Sequence, residues 1–230
     1  LEWRAPMSGA RASQSRSFDV VVLGAGAAGL MCAIRAGQRG RKVLVLEHAE
    51  KVGKKILISG GGRCNFTNLD ARPEAFLSGN PHFARSALAR YTQHDFIDMV
   101  NKHRIAWHEK TLGQLFCDGS ARQIVAMLLA ECEAAGVDVR VAHKVTEVEK
   151  ADRFTVATDH GDFAAGSVVL ATGGLSIPKM GATGFAHDVA RRFGLKVTQT
   201  RPALVPLTLA TPGISGVSFD VEARCGKSAF

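Results

Sequence analysis

The 230-residue sequence lacks the patterns that mark several classes of protein. Its five cysteines are widely spaced and form no Cys-x-x-Cys or Cys/His ligand pattern, so we expect reduced thiols and no metal. The most apolar stretch, residues 18–36, is interrupted by Asp19, glycines and Arg35, which excludes a membrane span and an export signal. We therefore expect a cytoplasmic protein with no membrane contact.

Other absences concern catalysis. The sequence contains no Ser/His/Asp or paired-carboxylate arrangement, its histidines have no ligand spacing, and it has no internal repeats or low-complexity blocks. It therefore identifies no catalytic residue, and any redox chemistry must come from a bound cofactor.

Composition indicates a globular chain with a sizeable core, since 46% of the residues are hydrophobic and 22% are charged. The formal net charge is +8, but the positive residues are scattered apart from Lys51, Lys54 and Lys55. We interpret most of them as solvated and expect a small-molecule substrate rather than nucleic acid. An RNA-facing surface is the alternative that this charge leaves open. The oligomeric state is not indicated.

The most informative segment is residues 18–47. An apolar run at 20–23 is followed by the turn GAGAAG (24–29), a helical pattern, a second apolar run and Glu47. Gly24 permits a tight turn, Gly26 lets the main chain approach a pyrophosphate, and Gly29 lets the helix pack on the strand. Glu47 stands where an acid accepts hydrogen bonds from the adenosine ribose, which favours FAD or NAD over NADP. The segment predicts a dinucleotide site at a helix N-terminus.

A second glycine-rich segment is GKKILISGGGRCNFTN (53–68). Its three consecutive glycines exclude a helix or a central strand there. The apolar run before them and the polar donors after them favour a backbone lying against something flat or anionic, rather than a flexible linker. We interpret Cys64 as a packed small residue rather than a redox thiol, because no second cysteine is nearby in sequence to resolve an oxidised form.

The remaining pattern predicts an α/β fold. Helical spacing occupies residues 81–104, a capping box at Ser120 opens a helix that ends at Gly136, and a third helix follows the turn at 181–184. Short strands are predicted at 137–141, 144–149, 154–158, 163–164 and 168–171, with a hairpin turn at 159–162. This order predicts a Rossmann-like parallel sheet in which a β-meander replaces one crossover, with a boundary near residue 200.

Several of these segments resemble a known family. The turn at 24–29, the GGGRCNFTN string, the stretch EKTLGQLFC (109–117) and ATGG (171–174) are similar to bacterial flavoproteins of the BaiN/YhiN-like group (NAD(P)/FAD-dependent oxidoreductase, aminoacetone oxidase family). The resemblance covers residues 18–230 and implies the two-dinucleotide-binding-domain flavoprotein fold. Residues 1–17, which are rich in Ser, Arg and Ala, are expected to be a disordered tail. The resemblance implies an incomplete FAD-binding domain at 18–202 and the beginning of an inserted β-rich domain at 203–230. The final return to the FAD domain is absent, so a C-terminally truncated chain is expected.

The resemblance also implies the residues that hold FAD. The pyrophosphate lies on the first glycine turn (24–29), the ribose on Glu47 and the adenine near the backbone of Val145. Residues 59–65, called the second glycine loop, extend towards the flavin. A meander core valine is the alternative for Val145. The implied cofactor-binding residues are Gly24, Gly26, Ala27, Ala28, Gly29, Glu47, Lys55, Ser59, Gly60, Gly61, Gly62, Arg63, Cys64, Asn65, Val145, Thr172, Gly173 and Gly174.

The leading functional hypothesis is an FAD-dependent oxidoreductase that exchanges hydride with a small organic substrate. By the resemblance it includes an enone-type C=C reductase, with NAD(P)H as the electron donor. Two alternatives are kept: an FAD-dependent tRNA-modifying protein, which the charge suggests and which predicts salt-sensitive RNA binding, and a non-catalytic nucleotide-binding fragment, which predicts no flavin spectrum.

Overall fold

A computed structural model describes residues 16–178, 181–201, 224–225 and 228–229. Six α-helices lie in these ranges: α1 (Ala27–Gly37), α2 (Lys54–Ile58), α3 (Arg85–Arg90), α4 (Gln93–Lys102), α5 (Ala121–Ala134) and α6 (Phe185–Arg192). The strands are β1 (Arg16–Leu23), β2 (Val43–Leu46), β3 (Asn65–Asn68), β4 (Trp107–Glu109), β5 (Gln114–Cys117), β6 (Asp138–Arg140), β7 (Val145–Lys150), β8 (Phe154–Thr158), β9 (Gly161–Leu170), β10 (Arg224–Cys225) and β11 (Ser228–Ala229).

The main sheet has the strand order β6-β2-β1-β9-β8-β7. Strands β6, β2, β1 and β9 are parallel, whereas β8 and β7 return as an antiparallel meander. The predicted fold class is therefore confirmed: a Rossmann-like parallel sheet with a meander in place of one crossover. The strands predicted at 163–164 and 168–171 form the single strand β9.

The core lies on both faces of β1 and β2. Val43 to Leu46 are all buried, as a central parallel strand requires, and α1 and α5 cover one face with Leu30, Ile34 and Leu128. Phe18, Val156 and Val189 belong to the cluster on the other side. This packing fixes the end of β1, where the first glycine turn begins.

The helix predicted across residues 81–104 is divided into α3 and α4. Thr92 begins α4 with a capping box, in which its hydroxyl accepts from the Asp95 N–H while the Asp95 carboxylate accepts from the Thr92 N–H. Tyr91 before it is extended, so the helix cannot continue. The capping box predicted at Ser120 is present at the start of α5.

A second, three-stranded antiparallel sheet has the order β3-β5-β4. Its strands have three or four residues each, and the sequence pattern does not predict this sheet. It carries the segment that follows the second glycine loop.

The chain is divided into two compact units, Leu1–Leu195 and Lys196–Phe230. In the second unit, β10 and β11 pair antiparallel. Residues 1–15 of the predicted tail (1–17) and most of the predicted β-rich segment at 203–230 lie outside the described residues, whereas Arg16 and Ser17 begin β1. The domain boundaries stay a prediction. None of the helices in the described ranges has the length and apolar character that a bilayer crossing requires.

Candidate functional site: a glycine-floored cavity at the end of the parallel strands

The first glycine turn connects β1 to α1 and is fixed by close backbone approaches. Gly24 has φ +105°, and a Cβ there would lie 2.5 Å from the Ala171 carbonyl oxygen. A Cβ on Gly29 would lie 1.9 Å from the Gly24 carbonyl oxygen. Gly26 differs, since a Cβ there would meet nothing within 4 Å. Two glycines thus let the turn fold, and the third leaves open space beside its backbone.

The N-terminus of α1 opens at this turn. No side chain caps the helix, and its first turn contains no acidic residue. Ala27 and Ala28 are exposed, so small side chains leave the first-turn N–H groups accessible. Uncapped N–H groups and the helix dipole favour an anion at this position.

Glu47 joins the end of β2 to the glycine turn. Its Oε2 accepts a hydrogen bond from the Ala25 N–H (2.8 Å), and its Oε1 accepts one from the Ala49 N–H (2.9 Å). His48 Nδ1 lies 3.1 Å from the same Oε1. The carboxylate is 9% exposed as a residue, yet each oxygen retains acceptor capacity. Glu47 therefore both holds the turn and can accept from ribose hydroxyls.

These residues border a cavity of about 730 Å³. Four lysines and two histidines line it against two acids, so its charge favours an anionic ligand. The lining residues are 23–28, 46–48, 51, 53–56, 143–145, 171–173, 181–185 and 188.

The cavity fits an adenine dinucleotide. Its size is that of small-molecule and cofactor sites, the empty space at Gly26 admits a diphosphate against the main chain, and Glu47 lies where a ribose would follow. Parallel α/β sheets bind ligands at this place, beyond the carboxyl ends of the strands.

The structure brings together about half of the predicted site residues. The predicted residues that line the cavity are Gly24, Gly26, Ala27, Ala28, Glu47, Lys55, Val145, Thr172 and Gly173. Gly29 lies behind the turn, and Gly174 lines a second recess beside α6. Lys55 Nζ donates to Ser176 Oγ (3.0 Å), which connects α2 to the segment after β9.

The second glycine loop does not line the cavity. Ser59, Gly60, Gly61, Gly62, Arg63, Cys64 and Asn65 are all absent from its lining. Ser59–Gly62 forms a 3-10 turn in which Gly60 and Gly61 have left-handed φ values of 57° and 65°. Because this conformation favours glycine, the fold accounts for these two glycines and no bound ligand is needed to explain them. A Cβ on Gly60 would lie 2.6 Å from Phe116 Cε1, so this loop packs on β5.

Cys64 is buried within that loop. The fold brings Cys117 near it, which sequence spacing could not indicate. Burial raises the pKa of Cys64, and burial together with the neighbouring Cys64 raises the pKa of Cys117 to about 11. Both thiols are therefore poor nucleophiles at neutral pH.

Several cavity residues were missed by the sequence analysis. His48, His143, Lys144, Asp188 and the turn 181–185 line the cavity without having been predicted as site residues. The glycines at 181 and 184 were noted only as a turn. Among the described residues, no group of three or more His, Cys, Asp or Glu side chains is arranged to hold a metal ion.

Two curated relatives are similar to most of this chain. A protein named ribosomal RNA dihydrouridine synthase from Escherichia coli (strain K12) is 56% identical over 196 residues, which are 85% of this chain and 49% of that protein. A protein of the same name from Haemophilus influenzae (strain ATCC 51907 / DSM 11121 / KW20 / Rd) is 45% identical over 228 residues, covering 94% of this chain and 57% of that protein. The chain thus spans about half the length of these relatives.

A solved structure shares the fold. The 3-ketosteroid-Δ4-(5α)-dehydrogenase of Rhodococcus jostii RHA1 has a TM-score of 0.52 at 18% identity, covering 75% of this chain and 49% of that chain.

These relatives correct two expectations. The expected hydride transfer to a small organic substrate, with its enone-type reductase variant, is wrong, because the relatives at 56% and 45% identity are named for an activity on ribosomal RNA. The expectation of a small-molecule partner rather than nucleic acid is wrong for the same reason. The scattered charge misled the sequence analysis, since RNA binding needs no continuous run of basic residues in sequence.

The family itself is established by a model that covers most of the chain. The model described as "HI0933-like protein Rossmann domain" matches residues 18–223. It confirms the coarser part of the resemblance. A further relative, named 3-dehydro-bile acid delta(4,6)-reductase, from Clostridium scindens (strain ATCC 35704 / DSM 5676 / VPI 13733 / 19), is 29% identical over 191 residues, which are 81% of this chain and 46% of that protein. Together they confirm the prediction of a flavin-dependent oxidoreductase family that uses FAD. The chain belongs to the HI0933-like family of Rossmann-domain proteins.

Proposed function

We propose that this protein reduces uridine in ribosomal RNA to dihydrouridine with FAD as cofactor. The observation that carries the proposal is 56% identity, across 85% of the chain, to a ribosomal RNA dihydrouridine synthase. Within the family, the proposal includes membership of the BaiN/YhiN-like group, the domain boundaries at 17/18 and 202/203, and a cytoplasmic location.

In this proposal the cavity holds the adenine dinucleotide part of FAD. Gly24, Gly26 and the N–H groups of Ala27 and Ala28 contact the diphosphate, Glu47 accepts from the ribose, and Lys55 neutralises phosphate charge. Val145, Thr172 and Gly173 enclose the opposite side. When bound, reduced flavin supplies the hydride, and NAD(P)H is the proposed source of its electrons.

The chemistry is consistent with an RNA base as substrate. The C5=C6 bond of uracil is conjugated to the C4 carbonyl, so it accepts a hydride at C6 and a proton at C5. The formal net charge of +8 favours association with a phosphodiester chain.

Gene deletion tests the function directly. Ribosomal and transfer RNA are isolated separately from a deletion strain, and dihydrouridine in each is quantified by mass spectrometry. The proposal expects loss from ribosomal RNA only, restored by the wild-type gene. Unchanged dihydrouridine in ribosomal RNA overturns it, and loss from transfer RNA alone assigns the substrate to transfer RNA instead.

A further inference from the structure

A His–Asp pair lies on the β4–β5 hairpin, outside the cavity. His108 Nδ1 is 2.6 Å from Asp118 Oδ1, and both side chains are about half exposed. Because an ionised carboxylate only accepts, Nδ1 carries the proton of this hydrogen bond and Nε2 is left for another partner. Within the described ranges the imidazole makes no other hydrogen bond. The proposed function, as described above, assigns no role to this oriented imidazole.

One aromatic ring separates this pair from the second glycine loop. His108 is paired with Phe116 across the strands, and the two rings stack with centroids 6.2 Å apart and planes 18° apart. The Phe116 ring also contacts Gly60, where a Cβ would lie 2.6 Å from it. His108 and the loop therefore lie against the same aromatic ring.

The loop, in turn, lies at the far end of α2 from the cavity. Residues 54–56, at the start of α2, line the cavity. The loop begins directly after Ile58, the last residue of this helix. At about 1.5 Å per residue, this five-residue helix spans only about 7.5 Å. A dinucleotide bound against residues 54–56 therefore lies within one short helix of the loop, and the loop packs on the same Phe116 ring as His108.

Two positively charged residues lie near the pair in the fold. Lys110 directly follows β4, and its Nζ lies 5.4 Å from the centroid of the Phe116 ring, on which His108 also stacks. Side chains alternate along a strand, so Glu109 points to the face of β4 opposite His108. Arg63 is exposed, and its carbonyl accepts from the Cys117 N–H beside Asp118. This surface is open, as a polymeric substrate requires, and carries cations for its phosphates.

We propose that His108, oriented by Asp118, is the general acid that protonates C5 of the uracil base; this rests on the proposed function. In the balanced step the C5=C6 π bond breaks, a hydride from reduced flavin forms the new C6–H bond, and the His108 imidazolium gives the proton that forms the C5–H bond. The products are dihydrouridine, oxidised flavin and neutral imidazole, which takes its proton back from water. Asp118 is a positioning residue.

The test compares His108→Gln and Asp118→Asn with His160→Gln. His160 is the control, since its Nδ1 lies 2.8 Å from Asp159 Oδ1 and its exposure is similar, but it lies on the meander. Its ring stacks on His143 of the cavity, so the FAD content of this variant is compared with wild type as well. The proteins are expressed from the native gene, purified, and given ribosomal RNA from the deletion strain. Dihydrouridine formation is followed over time, with FAD content and RNA affinity measured in parallel.

His108→Gln is expected to slow dihydrouridine formation about 10²–10⁴-fold, the range of general acid catalysis, with FAD content and RNA affinity unchanged. Asp118→Asn gives a smaller loss, and His160→Gln none. The wild-type rate depends on pH, because only the protonated imidazole can act as the acid, and His108→Gln lacks this dependence.

Two outcomes overturn the assignment while the proposed function stands: a wild-type rate in His108→Gln, or a loss explained by lost FAD or RNA binding. Wild-type protein that forms no dihydrouridine overturns the proposed function, and the assignment with it.

Discussion

At the scale of single residues, the three glycines of the first turn are not equivalent. Their spacing in the sequence predicts a role for each, whereas the structure separates the two glycines that the fold requires from the one that faces open space. Gly24 and Gly29 are held against backbone oxygens, and Gly26 is not. Substitutions at these positions should therefore fail for different reasons.

Gly26→Val tests the cavity without disturbing the fold. Gly26 has φ −84° and ψ −175°, an extended conformation that valine adopts, and its Cβ meets no atom within 4 Å. We expect an unfolding free energy within about 1 kcal/mol of wild type, the cost of a poorer N-cap, together with loss of bound flavin, measured by visible absorbance of the purified protein. Gly29→Ala is the contrasting variant, expected to destabilise by about 1–3 kcal/mol through overpacking. Flavin retained in Gly26→Val would remove this turn from the cofactor site.

Glu47→Ala should affect both the fold and the cofactor. The carboxylate accepts from the N–H groups of Ala25 and Ala49, so its removal leaves two donors unsatisfied and lowers the unfolding free energy by about 1–3 kcal/mol. It also weakens FAD binding by about 1.5–3 kcal/mol, the value of a hydrogen bond to a charged group. Urea unfolding and calorimetry measure the two effects. A change in stability with unaltered FAD affinity would make Glu47 purely structural.

At the scale of elements, local patterns predicted well where they were complete. The β1-α1-β2 unit, the capping box at Ser120 and the meander follow from apolar runs, caps and turns that are contiguous in sequence. The three-stranded sheet was missed because strands of three or four residues show too little alternation. The interruption between α3 and α4 was missed because apolar spacing continues through Tyr91.

The cavity residues likewise were predictable only where their pattern is contiguous in sequence. Glu47 and the first turn were predictable, since their spacing follows from one βαβ unit. His48 escaped notice because a single histidine has no pattern, and the turn at 181–185 because its approach to His48 depends on the tertiary fold.

Glu131, on α5, forms hydrogen bonds with residues at the end of α4. Its substitution tests how much this contact between two helices stabilises the fold. Its Oε1 lies 2.7 Å from both Lys102 Nζ and His103 Nε2, and these hydrogen bonds lower the pKa of the carboxyl group. Glu131→Gln should reduce the unfolding free energy at pH 7 by about 2 kcal/mol. Glu133, an exposed acid on the same helix, provides the control Glu133→Gln.

The pH dependence follows from the direction of that shift. A carboxyl whose pKa is lower in the folded state stabilises the fold above its unfolded pKa of about 4.3, and the contribution is lost as pH falls through the folded value. Urea unfolding of wild type and Glu131→Gln should therefore converge on acidification. A difference that persists at the lowest pH would assign the effect to packing instead.

At the scale of the whole molecule, the question is whether RNA binding follows from total charge or from one surface. The formal net charge of +8 is dispersed along the sequence, which is why it suggested solvated faces. The fold nevertheless places Lys110 and His108 against the Phe116 ring, and it joins the backbone of Arg63 to the neighbouring Cys117. Association driven by total charge would weaken equally for any lysine removed, whereas a defined surface would not.

Lys110→Gln and Lys150→Gln distinguish these cases. Each lysine lies over a phenylalanine ring, at 5.4 Å from Phe116 and 5.3 Å from Phe154, and each substitution removes one charge, but only Lys110 lies beside the second glycine loop. Affinity for ribosomal RNA is measured across a salt series, since each phosphate contact contributes about 0.7–0.9 to the slope of log K against log salt. We expect Lys110→Gln to weaken binding and reduce that slope by about one contact, with Lys150→Gln close to wild type. Equal losses in both variants would show that total charge, and not the hairpin, holds the RNA.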